Sequence, residues 1–118
     1  MTQDIDIAAA PSGPGCADCE VESSWWFHLR RCTACGHVGC CDSSLNRHAT
    51  AHATATGHRY IQSFEPGEDW WWDYRDEAMV DGPELAAPTS HPADQPVPGP
   101  ADRVPADWQQ QLEAARER

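Results

Sequence analysis

Cysteine and histidine are concentrated in one stretch of this 118-residue sequence, as in a metal-binding domain. All six cysteines lie between residues 16 and 41, and five of the six histidines lie between residues 28 and 58. The cysteines form two Cys-x2-Cys pairs and one adjacent pair, namely Cys16, Cys19, Cys32, Cys35, Cys40 and Cys41. The histidines that follow them are His48, His52 and His58. Thiolate and imidazole groups at such spacings are typical ligands of zinc.

A disulfide framework is the alternative interpretation of six cysteines, and it requires an oxidising compartment. The first 15 residues contain Asp4 and Asp6, no positive charge and no long apolar stretch. They therefore do not resemble an export signal. We expect a cytoplasmic protein whose cysteines bind metal.

Eight residues of this stretch are enough for two closed zinc sites, because a structural site has four Cys or His ligands in a tetrahedron. The expected ligands are Cys16, Cys19, Cys32, Cys35, Cys40, His48, His52 and His58. A sequential arrangement would place the first four in one site and the last four in the other. An interleaved arrangement would combine the first two with the fifth and sixth, and the third and fourth with the last two. The spacing alone leaves both arrangements open.

Charge and size exclude several classes of function. The sequence has 19 acidic and 8 basic residues, a formal charge of −11. Nucleic acids and anionic membranes require clustered Lys and Arg, so neither is an expected partner. No apolar run approaches 18 residues, so no membrane span is expected. Seven of the ten prolines follow residue 82, so the compact part is short and needs a stabilising element such as zinc.

The elements that must position the ligands are short. Apolar and aromatic patterns predict strands at 25–31, 59–64 and 69–75. A helix is predicted from Leu45 to Thr56, with its cap in residues 42–44 and Gly57 at its end. The predicted fold is a small α+β zinc-stabilised domain. It has a twisted antiparallel sheet of three to five short strands, one main helix and a disordered Pro-rich C-terminal tail.

The sequence divides into four predicted segments. They are a flexible N-terminus (1–13), a zinc finger (14–77), a disordered linker rich in Pro, Ala and Asp (78–104) and a short amphipathic helix (105–118). In the last segment Trp108, Leu112 and Ala115 share one helical face. An isolated helix of this length is marginal in water, so it docks on the finger, binds a partner or frays.

The order of the ligands resembles that of the UBP-type zinc finger, which is associated with ubiquitin hydrolases. The resemblance covers residues 14–77 and includes the aromatic close Ser63-x6-Trp70-x3-Tyr74. It implies two structural zinc ions in the interleaved arrangement, with Cys40 rather than Cys41 as the fifth ligand. A third zinc, found in some members, is not expected because no cysteine lies near Trp72. The absence of lysine, with abundant Ala, Pro and Asp, is typical of a GC-rich genome and predicts a stand-alone bacterial member.

The resemblance also implies a binding pocket. In this family aromatic residues form a pocket for the free C-terminal Gly-Gly carboxylate of ubiquitin, and Trp72 and Tyr74 match two of them by position. Trp26 is a third candidate. Asp42, however, stands where the ubiquitin-binding members have an arginine, and an aspartate repels a carboxylate. The arginines that could replace it are Arg30, Arg47, Arg59 and Arg75.

We therefore expect a zinc-binding protein-interaction module that recognises a peptide or protein C-terminus, for example one ending in Gly-Gly, and that is not an enzyme. The alternative is a general interaction or zinc-dependent regulatory protein without carboxylate recognition. An enzyme with a catalytic zinc is less favoured. Both sites can be filled by four protein ligands, and the His-Glu-x2-His and deaminase patterns are absent from the sequence.

Overall fold

A five-stranded antiparallel sheet with the order β2-β1-β3-β4-β5 forms the centre of the computed structural model, which describes residues 4–116. The strands are β1 (Leu29–Cys32), β2 (Val38–Cys40), β3 (Tyr60–Ser63), β4 (Trp71–Asp73) and β5 (Ala78–Val80). Within the described range the helices are α1 (Ala17–Glu22), α2 (His48–Thr56) and α3 (Trp108–Arg116). This architecture confirms the predicted small α+β domain. Among residues 4–116, no helix combines the length and apolarity needed to cross a membrane.

The hairpin of β1 and β2 carries the second Cys-x2-Cys pair, with Cys32 at the end of β1 and Cys35 in the turn. Leu29 lies opposite Cys40 in the ladder. Gly36 closes the turn with a φ of +82°, and its N–H donates to the carbonyl of Cys32 at 2.9 Å. A Cβ at Gly36 would lie 2.0 Å from the carbonyl oxygen of Ala10. The turn therefore requires glycine for both its backbone angle and its close contact with the N-terminal segment.

The core is small and includes three of the cysteines. Its fully buried members are Trp26, Leu29, Val38, Phe64, Cys16, Cys19 and Cys40. Helix α2 lies against β2 so closely that a Cβ at Gly39 would approach the backbone nitrogen of Ala49 to 2.7 Å. With so few large apolar side chains, metal ligation must contribute to the stability of the fold.

Helix α2 begins at His48, three residues later than the predicted Leu45. The preceding segment is held in turns, because the Ser44 Oγ accepts a hydrogen bond from the Phe27 N–H at 2.9 Å. Arg47, at the N-cap, has a left-handed backbone with a φ of +49°. The C-terminal end agrees with the prediction, since Gly57 is left-handed and its N–H donates to the carbonyl of Ala53.

The N-terminal segment lies against the finger, which differs from the predicted flexible N-terminus at 1–13. The Asp6 N–H donates to the carbonyl of Thr33 at 2.8 Å, and the Ser12 N–H donates to the carbonyl of Gly36 at 2.9 Å. These are backbone contacts, which have no signature in the side-chain pattern of the sequence. Residues 1–3 lie outside the described residues.

The segment 78–104, predicted as a disordered linker, also packs on the finger. Its first residues form β5, which pairs with β4, and Leu85 and His91 are buried. Further along, Trp26 and Gly99 exchange backbone hydrogen bonds of 2.8 and 2.9 Å. The structure differs from the prediction because isolated contacts hold these residues along an irregular path. Such contacts leave no periodic pattern of apolar residues in the sequence.

The C-terminal helix docks on the finger, which is one of its three predicted behaviours. The Trp108 ring makes edge contacts with Trp25 and Phe27, with centroids 6.3 and 5.4 Å apart. Leu112, on the same face, is buried. The helix begins at Trp108, and residues 117–118 of the predicted segment lie outside the described residues.

Candidate metal centres and adjoining pocket

The first metal centre consists of Cys16, Cys19, Cys40 and His48. Three elements supply these ligands: the start of α1, the end of β2 and the first residue of α2. The His48 Nδ1 lies 3.4, 3.2 and 3.6 Å from the Sγ atoms of Cys16, Cys19 and Cys40. The Sγ atoms of Cys19 and Cys40 are 3.9 Å apart.

The second metal centre consists of Cys32, Cys35, His52 and His58. Strand β1 ends at Cys32, the hairpin turn holds Cys35, α2 provides His52, and His58 follows that helix. The Cys32 Sγ lies 3.3 Å from the His58 Nδ1, and the Cys35 Sγ lies 3.4 Å from the His52 Nε2. The two imidazole nitrogens are 3.3 Å apart.

These distances fit tetrahedral zinc. Bonds of about 2.3 Å to sulfur and about 2.0–2.1 Å to nitrogen separate neighbouring ligand atoms by about 3.3–3.8 Å. The ligand atoms of each cluster all lie within 4.8 Å of one another. Both clusters therefore fit structural zinc, which confirms the prediction of two zinc ions in the interleaved arrangement. Cys41 lies outside both clusters, with its Sγ 3.5 Å from the Ser44 Oγ.

The crowded thiols of the first centre favour a bound cation. Hydrogen bonds with Cys19 and Cys40 lower the pKa of Cys16, while the contact with Cys16 raises the pKa of Cys19. Contact with Cys16 also raises the pKa of Cys40 to about 12. One thiolate is thus stabilised at the expense of its neighbours, and a divalent ion would stabilise all three.

The histidine ligands have outer contacts that orient their rings. The His48 Nε2 lies 3.4 Å from the Glu22 carboxylate, so the opposite nitrogen, Nδ1, faces the cysteines. Burial, together with repulsion from His37 and His58, lowers the pKa of His52 to about 4. His52 is therefore neutral at physiological pH, which is the state that binds metal.

The two centres differ in exposure to solvent. The cysteines of the first centre are fully buried, whereas Cys35 of the second centre is exposed. His52 and His58 are half-buried. Solvent therefore reaches the second centre more readily than the first.

A pocket of about 280 Å³ opens on the face of the sheet beside the centres. Its lining residues are Arg30, Cys41, Asp42, Ser43, Ile61, Trp70, Trp72, Tyr74 and Met79. Successive side chains of a strand point to opposite faces, so Trp71 is buried on the other side while Trp72 lines the pocket. The structure thus brings two of the predicted binding residues, Trp72 and Tyr74, to one site.

Polar groups of both charges line this pocket. The Arg30 guanidinium lies over the Trp70 ring, 4.6 Å from its centroid. The Thr50 hydroxyl donates to the Asp42 Oδ1, and the Thr50 Oγ1 is 3.3 Å from the Tyr74 hydroxyl. Burial raises the pKa of Tyr74, so its phenol is neutral at physiological pH.

Trp26, the third predicted binding residue, is not in this pocket. Its side chain is only 1% exposed, and its Nε1 donates to the Gln95 Oε1 at 3.2 Å. It lies at the base of a separate cavity of about 730 Å³, which also contacts Pro14 and Pro100. Strand β1 begins at Leu29 rather than at residue 25, so the strand pattern does not extend to Trp26.

Arg30 is the one of the four candidate arginines that lines the pocket. Arg59 instead makes hydrogen bonds of 2.7–2.8 Å to both carboxylate oxygens of Asp73, near the far end of β4. The sequence indicates that Arg30 lies in a strand. Only the order of the strands in the sheet shows which of the four arginines lies near the pocket. Strand β1 is separated from β4 only by β3.

A family model and a solved structure match this chain. A family model described as a zinc finger in ubiquitin hydrolases and other proteins matches residues 16–85. The solution NMR structure of protein RPA1320 from Rhodopseudomonas palustris is 45% identical, with a TM-score of 0.59. That match covers 77% of this chain and 85% of the other. A search of curated proteins found no match.

Proposed function

We propose that this chain, which belongs to the family of zinc fingers found in ubiquitin hydrolases and other proteins, binds the carboxyl terminus of a peptide or protein. The ligand would enter the pocket lined by Arg30, Trp72 and Tyr74. The two zinc ions would hold the strands and the loop that form its walls, without taking part in a reaction.

The position of Arg30 is the observation that supports carboxylate binding. Asp42 supplies a negative charge where ubiquitin-binding members have an arginine, and by itself it would repel a carboxylate. Arg30 lines the same pocket from β1. One guanidinium N–H donates to the Leu29 carbonyl at 3.0 Å. A guanidinium has five N–H donors, so it retains enough of them for a carboxylate ligand.

The shape of the pocket favours a chain end over a large ligand. Its volume of about 280 Å³ is at the lower limit of small-molecule sites. Trp72 and Tyr74 offer flat surfaces for a peptide backbone, and the Tyr74 hydroxyl oxygen can accept a hydrogen bond from a ligand N–H. An extended chain end would fit between them.

The metal centres support a binding module rather than an enzyme. A catalytic zinc has three protein ligands and one open position for water or substrate. Each centre here brings four Cys or His ligand atoms together, so each ion would be closed. The proposed role of zinc is therefore structural.

A fluorescence titration tests this proposal. Peptides ending in Gly-Gly, with a free or an amidated carboxyl group, are added to the zinc-loaded protein while tryptophan emission is followed. We expect the free acid to bind at least tenfold more tightly than the amide. The matched control is Gln95→Ala, which alters the separate cavity at Trp26 and should leave both affinities unchanged. Equal binding of acid and amide would contradict carboxylate recognition and favour the alternative, a general interaction module.

A further inference from the structure

We infer that the pocket selects a carboxyl terminus with a basic side chain in one of its last two residues, and that Asp42 binds this side chain. The inference rests on the proposed function. It adds a second charge to the ligand: the carboxylate lies against Arg30, and the cationic side chain lies against Asp42.

The charge balance of the pocket favours a ligand with two opposite charges. Arg30 and Asp42 line the same cavity of about 280 Å³. A ligand with only a carboxylate would neutralise Arg30 while being repelled by Asp42. A ligand with both a carboxylate and a cation would pair with each of them. Charge complementarity of this kind favours the second ligand and discriminates against the first.

Asp42 is held in place by one hydrogen bond and can accept another. Thr50 donates a hydrogen bond to the Asp42 Oδ1, which fixes the carboxylate near the N-terminal end of α2. Within residues 4–116, the hydrogen bonds of Asp42 leave its Oδ2 without a side-chain donor. The residue is exposed, so this oxygen is accessible to a ligand. A guanidinium or ammonium group of a ligand would donate a charge-assisted hydrogen bond to this oxygen.

The aromatic lining of the pocket also favours a cationic side chain. Arg30 already covers the Trp70 ring, with its guanidinium 4.6 Å from the centroid. Trp72 and Tyr74 line the same cavity and are only half-buried. Aromatic faces attract cations, so these two rings would add to the attraction that Asp42 exerts on a basic side chain.

The charge of the whole chain points in the same direction. A formal charge of −11 repels acidic partners and increases the rate of encounter with basic ones. The local and overall charges therefore favour the same ligand.

The test compares acetylated peptides without aromatic residues that end in Gly-Gly, Gly-Arg, Arg-Gly, Gly-citrulline or citrulline-Gly. Citrulline keeps the shape of arginine without its charge, so the comparison requires no change to the protein. We expect at least one arginine peptide to bind about tenfold more tightly than Gly-Gly, and the peptide with citrulline at the same position to lose that advantage. Equal or weaker binding of both arginine peptides relative to Gly-Gly would overturn the inference.

The variant Asp42→Asn gives a second, independent readout. It should weaken the preferred arginine peptide about tenfold and tighten the Gly-Gly peptide, because the repulsion is removed. A variant that was merely misfolded would weaken both peptides, and native mass spectrometry of the zinc content would identify it. Asp94→Asn, which removes the same charge from an exposed position outside the pocket, is the matched control and should change neither affinity.

The outcomes separate the inference from the proposed function. If free Gly-Gly peptides bind better than their amides but arginine gives no advantage, only the inference fails. If amidation has no effect on any peptide, the proposed function fails, and the inference fails with it.

Discussion

The imidazole ring of His37 lies parallel to that of His52, with ring centroids 4.1 Å apart and an angle of 5° between the planes. His52 belongs to the second metal centre, and the His37 Nε2 lies 2.9 Å from the Asp18 carboxylate on α1. Helix α1 begins after Cys16 and contains Cys19, two ligands of the first centre. His37 is therefore not a ligand itself, but it contacts a ligand of the second centre and the helix that carries ligands of the first.

From this stacking we predict that His37→Ala lowers the zinc affinity of the second centre about tenfold, because groups that orient a ligand contribute to metal affinity. Competition with a chromophoric chelator measures the affinity of each zinc separately. The first centre should be unchanged. His28→Ala is the control, because His28 contacts Glu65 rather than a metal ligand. Equal affinities in wild type and His37→Ala would show that the stacking has no role in metal binding.

The adjacent cysteines provide a matched test of the ligand assignment. Cys40→Ser should reduce the zinc content from two ions to one and strongly destabilise the fold, because Cys40 contacts the His48 Nδ1 at 3.6 Å. Cys41→Ser should retain both ions, because its sulfur lies beside Ser44 and outside both clusters. Native mass spectrometry counts the bound ions. Loss of zinc in Cys41→Ser, with two ions in Cys40→Ser, would reverse the assignment.

Glu65 should stabilise the packing of the segment around His91. Its carboxylate lies 2.8 Å from the His91 Nε2 and accepts a hydrogen bond from the Leu29 N–H at 2.9 Å. Burial opposes ionisation of Glu65, but its contacts with His91, the Leu29 N–H and His28 outweigh it and lower its pKa. Replacing the Glu65 carboxylate by the amide of glutamine should therefore reduce the free energy of unfolding by about 1–3 kcal/mol near neutral pH.

Urea denaturation of the zinc-loaded Glu65→Gln protein measures this loss, and limited proteolysis should show faster cleavage in residues 86–104. Because the pKa of Glu65 is lowered on folding, its contribution is present above the unfolded pKa of about 4.3 and is lost as pH falls below it. Glu84→Gln, at an exposed position, is the control. Unchanged stability and cleavage in Glu65→Gln would contradict the role assigned to Glu65.

Tyr74 should ionise at higher pH than a free tyrosine, because burial raises its pKa above the usual value of about 10. The chain has two tyrosines, so Tyr60→Phe leaves Tyr74 as the single phenol. Ultraviolet absorbance of the phenolate then follows its titration. The raised pKa contributes stability below pH of about 10, and this contribution is lost as pH rises through the folded pKa. A folded-state curve that coincides with the curve in concentrated denaturant would refute the prediction.

The sequence predicted the metal ligands but not how they pair. All eight appear as ordered Cys and His spacings, whereas the interleaved pairing depends on α1 and α2 both meeting β2, which is a property of the tertiary fold. The resemblance to a known family supplied that information. Helix α1 was not predicted, because six residues carry no apolar period and the helix is capped by the thiol of Cys16, which accepts a hydrogen bond from the Cys19 N–H.

The pocket was predictable only in part. Trp72 and Tyr74 follow from the family motif, but Trp26 was assigned to the same site and lies in another cavity. Arg30 could be chosen from four arginines only when the order of the strands was known. The packing of segment 78–104 was missed for a related reason, because single contacts such as Gln95 with Trp26 leave no period in the sequence.

The central claim is that Arg30 binds the ligand carboxylate, and a double-mutant cycle measured by calorimetry tests it most directly. The cycle combines Arg30→Gln with amidation of a peptide ending in Gly-Gly, and Arg30→Lys serves as a charge-retaining control. We predict that amidation weakens binding at least tenfold in the wild type, has little effect in Arg30→Gln and has an intermediate effect in Arg30→Lys. The same loss on amidation in wild type and Arg30→Gln would contradict the claim.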